Sequence, residues 1–101
     1  MIKMTTVNEV YQKSPDVIFR RVADEYILVP IRQKVVDLRS IYTLNEVSAF
    51  IWELIDGKKS ISEISDKIIE EFNVEPLQAE SDIREILLQL ETLSLIQKVD
   101  V

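Results

Sequence analysis

The chain has no cysteine and no histidine. Disulfides are thereby excluded, together with thiolate and imidazole metal sites. A cysteine nucleophile and a histidine general base are excluded as well. Any catalysis would rest on carboxylates, lysine, tyrosine or serine. Carboxylates abound, but Glu63, Asp66, Glu70 and Glu71 interleave with the apolar positions of one helix. That is the pattern of a solvated face rather than of a catalytic pair. Long hydrophobic runs are missing too, so nothing approaches the ~20 apolar residues that span a bilayer. Met1–Thr6 has no apolar signal core and no small-residue cleavage site, and a cytoplasmic location is expected. Positive charge is scarce: 12 Lys and Arg face 18 Asp and Glu, a net charge of −6. Nucleic acid is disfavoured as a partner, because its binding depends on neutralising phosphates. A partner with a basic segment is favoured.

What is present fits one globular domain. The 101 residues are 47% hydrophobic and 30% charged, which suits a folded chain with one core. Residues 1–16 carry no sustained period and are expected as an N-terminal arm, with the domain proper over 17–101. Val17–Val22 and Tyr26–Ile31 are rich in β-branched and aromatic residues and read as a hairpin. Pro30 predicts an end or an unpaired position in the second strand. A third extended segment is expected within Lys34–Leu44, where Val36, Leu38, Tyr42 and Leu44 share one alternating face.

Three helices follow. Val47, Phe50, Ile51 and Leu54 recur at helical spacing within Glu46–Asp56, and Trp52 and Ile55 widen the stripe. Trp52 is expected in the core rather than at a ligand. Asn45 is a candidate N-cap, and Thr43 with Glu46 offers a rival capping box. Gly57, the only glycine, falls where a left-handed residue would close the helix. Ser60 and Glu63 form a Ser-x-x-Glu capping box ahead of Ile61, Ile64, Ile68 and Phe72. Pro76 suits the first turn of a third helix over about Leu77–Leu93, with Ile83, Ile86, Leu87, Leu90 and Leu93 inward. Leu95–Val99 reads as a short strand or strapped-down tail. The fold class expected is α+β: a three-stranded antiparallel sheet, a three-helix bundle and a short C-terminal extension, winged-helix-like.

The wording Leu44-Asn45-Glu46, Ile51-Trp52-Glu53-Leu54 and Asp56-Gly57-Lys58 resembles the PqqD family, named for coenzyme PQQ synthesis protein D. Ser14–Arg20 and Asp24–Val29 resemble its opening strands. Ser60–Ile64 and Asp82–Ile96 resemble its later helices. Ser94 stands where the family usually has glycine, and Ile31–Lys34 replaces a glycine-containing turn. The resemblance implies a non-catalytic adaptor that captures the leader of a ribosomal precursor peptide. It presents that peptide to a radical S-adenosylmethionine enzyme, for PQQ or a related peptide product. No cofactor is implied for the chain itself.

A small sheet leaves unpaired groups along its outer strands, and an extended peptide can add itself there. The resemblance places the guest between the third strand and the third helix. Carried onto this sequence, the walls are Ile41, Tyr42, Thr43 and Leu44 on the strand and Arg84, Leu87, Leu88 and Glu91 on the helix. Leu88 follows Leu87 directly, so both cannot enter one core. The same sheet border could pair with its own copy, which leaves a homodimer open. Two other functions compete: a structural subunit of the modifying enzyme, and a winged-helix regulator. Glu80, Asp82, Glu85 and Glu91 against the lone Arg84 make the third helix a poor DNA reader.

Overall fold

The computed structural model describes residues 9–32, 35–36 and 38–99. Six strands and three α-helices occur among them: β1 (Tyr11–Lys13), β2 (Val17–Val22), β3 (Glu25–Arg32), β4 (Val35–Val36), β5 (Tyr42–Leu44), α1 (Glu46–Leu54), α2 (Ile61–Phe72), α3 (Pro76–Thr92) and β6 (Ile96–Lys98). The α+β class stands, but the expected three-stranded sheet is corrected. β3 pairs with β2 along one edge, and with both β4 and β5 along the other, all antiparallel. A separate two-stranded sheet joins β1 to β6.

The third extended segment is thus two short strands with a 3-10 turn, Leu38–Ser40, between them. Pro30 explains the break. In β3, Ile31 N–H donates to Asp16 C=O at 2.6 Å, on the β2 side. Backbone groups alternate sides along a strand, so Pro30 faces the β4–β5 side. It has no N–H to offer there. β4 pairs with Ile31 and Arg32 beyond it, and β5 with Tyr26–Leu28 before it. Pro30 is therefore an unpaired position on that edge, while β3 itself runs through it to Arg32.

The N-terminal segment is not loose where it is described. Tyr11 is buried, and Tyr11–Lys13 pairs with Ile96–Lys98 in the register Tyr11↔Lys98. Lys13 Nζ lies 5.3 Å from the centre of the Trp52 ring, and Lys98 Nζ meets Glu9 at 3.0 Å. The two ends of the domain are thereby tied together. Residues 1–8 lie outside the described residues.

Helices α1 and α2 start where their side-chain caps place them. The Asn45 side chain accepts from Ser48 N–H at 2.8 Å, so Asn45 caps α1, and the rival start at Thr43 is not used. Ser60 and Glu63 make the reciprocal capping box of α2. Pro76 stands in the first turn of α3. Helix α1 stops at Leu54, two residues before the expected Asp56. The Asp56 carboxylate instead accepts from Lys58 and Lys59 N–H, both at 2.9 Å. Gly57 is left-handed (φ +79°), but it shapes this loop and donates to Tyr11 C=O at 2.9 Å rather than closing the helix.

Leu28, Ile51, Ile55, Ile64, Ile68, Ile83, Leu90 and Ile96 are fully buried, and Trp52 joins them in the core. Every helix contributes, and β3 enters through Leu28. Leu93, expected inward, is about half exposed because α3 has already ended. Ser94 adopts the left-handed conformation (φ +63°) for which glycine is better suited.

Candidate functional site

Strand β5 is an edge. Among the described residues no strand pairs with its outer side. The bonding of β3 fixes what that side offers. Since Ile31 faces β2, so do Ile27 and Val29, and Tyr26 and Leu28 face β5. The register is Leu28↔Tyr42, Ile27↔Thr43 and Tyr26↔Leu44. Tyr42 and Leu44 therefore spend their backbone groups on β3. Thr43, between them, aims its N–H and C=O outward.

That outward edge opens on a groove of about 340 Å³. Tyr42, Thr43 and Asn45 form one side, Val47, Ser48 and Ile51 of α1 the floor, and Asp82, Glu85, Ile86 and Gln89 of α3 the far wall. The four α3 residues follow the spacing i, i+3, i+4, i+7, one stripe of the helix. Ile51 and Ile86 supply a buried apolar base. The Tyr42 hydroxyl donates to Gln89 Oε1, linking strand to helix. Burial, and secondarily the Glu85 carboxylate, push the Tyr42 phenol above its ordinary pKa, so it stays a donor at neutral pH. Asp82 accepts from Gln78 Nε2 at 2.8 Å.

The sequence-derived wall residues divide. Tyr42 and Thr43 line this groove. Leu44 is buried under it, and Ile41 precedes β5 and lines a neighbouring hollow with Val17, Pro30 and Leu95. On α3 the groove side lies about half a turn from the expected residues. Leu87 is in the core, while Leu88 is 66% exposed. Arg84 points to solvent and meets Glu80 at 3.5 Å. Glu91 acts near Tyr11 and Lys98, on the β1–β6 side. Asp82, Glu85, Ile86 and Gln89 were not singled out as wall residues. The signal available was a mostly polar stripe alongside the core stripe, sharing Ile86 with it.

A second hollow of about 270 Å³ lies on the other flank of α1, among Phe19, Tyr26, Phe50 and Phe72. Phe50 and Phe72 meet edge to face at 5.3 Å, and Phe19 stacks on Tyr26 at 5.8 Å. Among the described residues no group of acidic side chains could hold a metal ion. No helix there is long and apolar enough to cross a membrane.

The profile of one family, Coenzyme PQQ synthesis protein D (PqqD), matches residues 25–96. The chain belongs to the PqqD family. The match runs from β3 to the start of β6 and so takes in both walls of the groove. Among solved structures, this PqqD-family chain is similar to TbiB1 in complex with the TbiA(beta) leader peptide. The two share 27% identity with a TM-score of 0.70, over 89% of this chain and 99% of that one. No curated protein sequence matches the chain.

Proposed function

We propose that the protein is a non-catalytic peptide-binding adaptor. It takes the leader of a ribosomal precursor peptide as an added strand on β5, beneath α3. It holds the rest of that peptide for a radical S-adenosylmethionine enzyme, in the cytoplasm, in PQQ or a related biosynthesis. The observation that carries this reading is the outward N–H and C=O of Thr43 at the mouth of the groove. PqqD-family membership supports it, as does the likeness to a protein solved with a leader peptide bound. On this reading the three helices beside a small sheet would form a winged-helix-like arrangement. Helix α3 would be that fold's reader, and its acidic character argues against duplex binding. The adaptor's contribution is proximity: tethering raises the substrate's effective concentration at the enzyme without a new catalytic contact.

Backbone amide shifts separate this reading from that of a structural enzyme subunit. Adding leader peptide alone should shift Thr43, its neighbours and the Asp82–Gln89 face of α3. If those amides ignore peptide and move only with enzyme, the subunit reading replaces it.

A further inference from the structure

We infer that the groove selects a guest segment carrying a lysine or arginine, seated against Asp82 and Glu85, beside an apolar side chain on the Val47–Ile51–Ile86 floor. The inference deepens the peptide-capture reading and rests on it.

The two charged members of the α3 wall are both acidic. Neither is ion-paired with a Lys or Arg among the described residues. Asp82 is half-buried and takes only the neutral Gln78 amide; Glu85 is exposed. Arg84, the one cation of α3, lies on another side of the helix with Glu80. The positive end of the α1 dipole also reaches this groove. Asn45 already caps it through Ser48 N–H, and Glu46 adds negative charge in its first turn. The negative charge of the wall is thus left for a guest to neutralise.

Charge varies along the groove as well. The Tyr42–Gln89 link marks a neutral region, and the carboxylates lie one and two turns back along α3. A guest strand running along β5 turns alternate side chains toward the groove. An apolar side chain can then meet Ile51 and Ile86 while a cationic one meets the carboxylates. The long stem of lysine or arginine can cover the apolar base while its head reaches the acids. The net charge of −6 favours approach of such a segment at low salt.

The test is selection from a phage-displayed library of random peptides against three proteins: the wild type, the Asp82→Asn/Glu85→Gln variant and the Asp82→Lys/Glu85→Lys variant. Circular dichroism confirms that each is folded. The wild type should enrich sequences with Lys or Arg at a fixed offset from an apolar position. The neutral variant should keep the apolar preference and lose the basic one. The reversed variant should select Asp or Glu at that offset. A synthetic copy of the leading wild-type peptide should bind the reversed variant about tenfold more weakly, since a like-charge contact replaces an attractive one. An unchanged charge preference across all three proteins overturns the charge assignment while leaving peptide capture intact. Failure of the wild type to enrich any sequence overturns the capture reading itself. Should the double reversal unfold, the neutral variant alone decides between these outcomes.

Discussion

Replacing Thr43 by proline isolates the backbone contribution of β5. The ladder to β3 is held by Tyr42 and Leu44, and Thr43 turns its N–H away from it. Proline is tolerated where an edge strand's N–H side faces out. The substitution should therefore leave the fold in place and remove one donor from the groove. A guest carbonyl that lost this partner would be left unsatisfied against the ring. Such a loss costs about 1–3 kcal/mol, roughly 5- to 150-fold in Kd. Thr43→Ala is the matched control, since it keeps the N–H and removes only an exposed side chain. Fluorescence anisotropy with a labelled peptide selected on the wild type measures both. Thermal melts show whether each variant is folded. Wild-type affinity in a folded Thr43→Pro variant would refute strand addition at this edge. Equal weakening by alanine would move the contact from backbone to side chain.

Three further outcomes are expected. Ala23 and Ser94 both adopt left-handed backbone, so Ala23→Gly and Ser94→Gly should each raise stability in urea by about 0.5–1 kcal/mol, the relief of strain less the entropy of glycine. Burial first, then Glu91 and Glu9, raise the Tyr11 phenol from 10.0 to about 12. Between those values the unfolded chain releases a proton that the folded chain keeps. Stability should therefore be fully present below pH 10 and fall as pH rises through this window, by less in Tyr11→Phe, as read from urea midpoints. Sedimentation velocity should show a monomer at neutral pH and low salt, because antiparallel pairing of two β5 edges brings both acidic α3 walls together; a dimer there would contradict that repulsion.

Local chemistry in the sequence carried much of the architecture. The Ser60–Glu63 box and the Asn45 cap act within a few residues of themselves, so α1 and α2 begin where expected. The β2–β3 hairpin is likewise a local pairing. The β1–β6 pair is not, since it joins opposite ends of the chain and neither segment specifies its partner. Pro30 was legible as an unpaired position, yet its consequence was not. The opposite edge of β3 breaks there, and Leu38–Ser40 turns instead of extending. The groove side of α3 was hidden for another reason. Periodicity already places Leu87 on the inward stripe of α3, and it is buried. The pattern leaves open which flank of that stripe meets β5, and tertiary packing turns Asp82, Glu85 and Gln89 toward it.

If the groove takes a peptide as proposed, the division of labour within it follows from the shortness of β5. A three-residue strand turns one residue, Thr43, outward. Its two main-chain bonds would contribute about 2 kcal/mol together, whereas micromolar capture needs about 8 kcal/mol. Strand addition can therefore fix the register and direction of a guest without holding it. Burial of one or two guest apolar side chains on Ile51 and Ile86 would add about 1.5–3 kcal/mol each, and the carboxylates, which have no ion pair among the described residues, would supply discrimination. A short edge also gives little purchase to a neutral or acidic chain, including a second copy of this one. On the proposed reading, the features that would keep the edge open in isolation, its length and its acidic wall, are the same ones that would decide which peptide closes it.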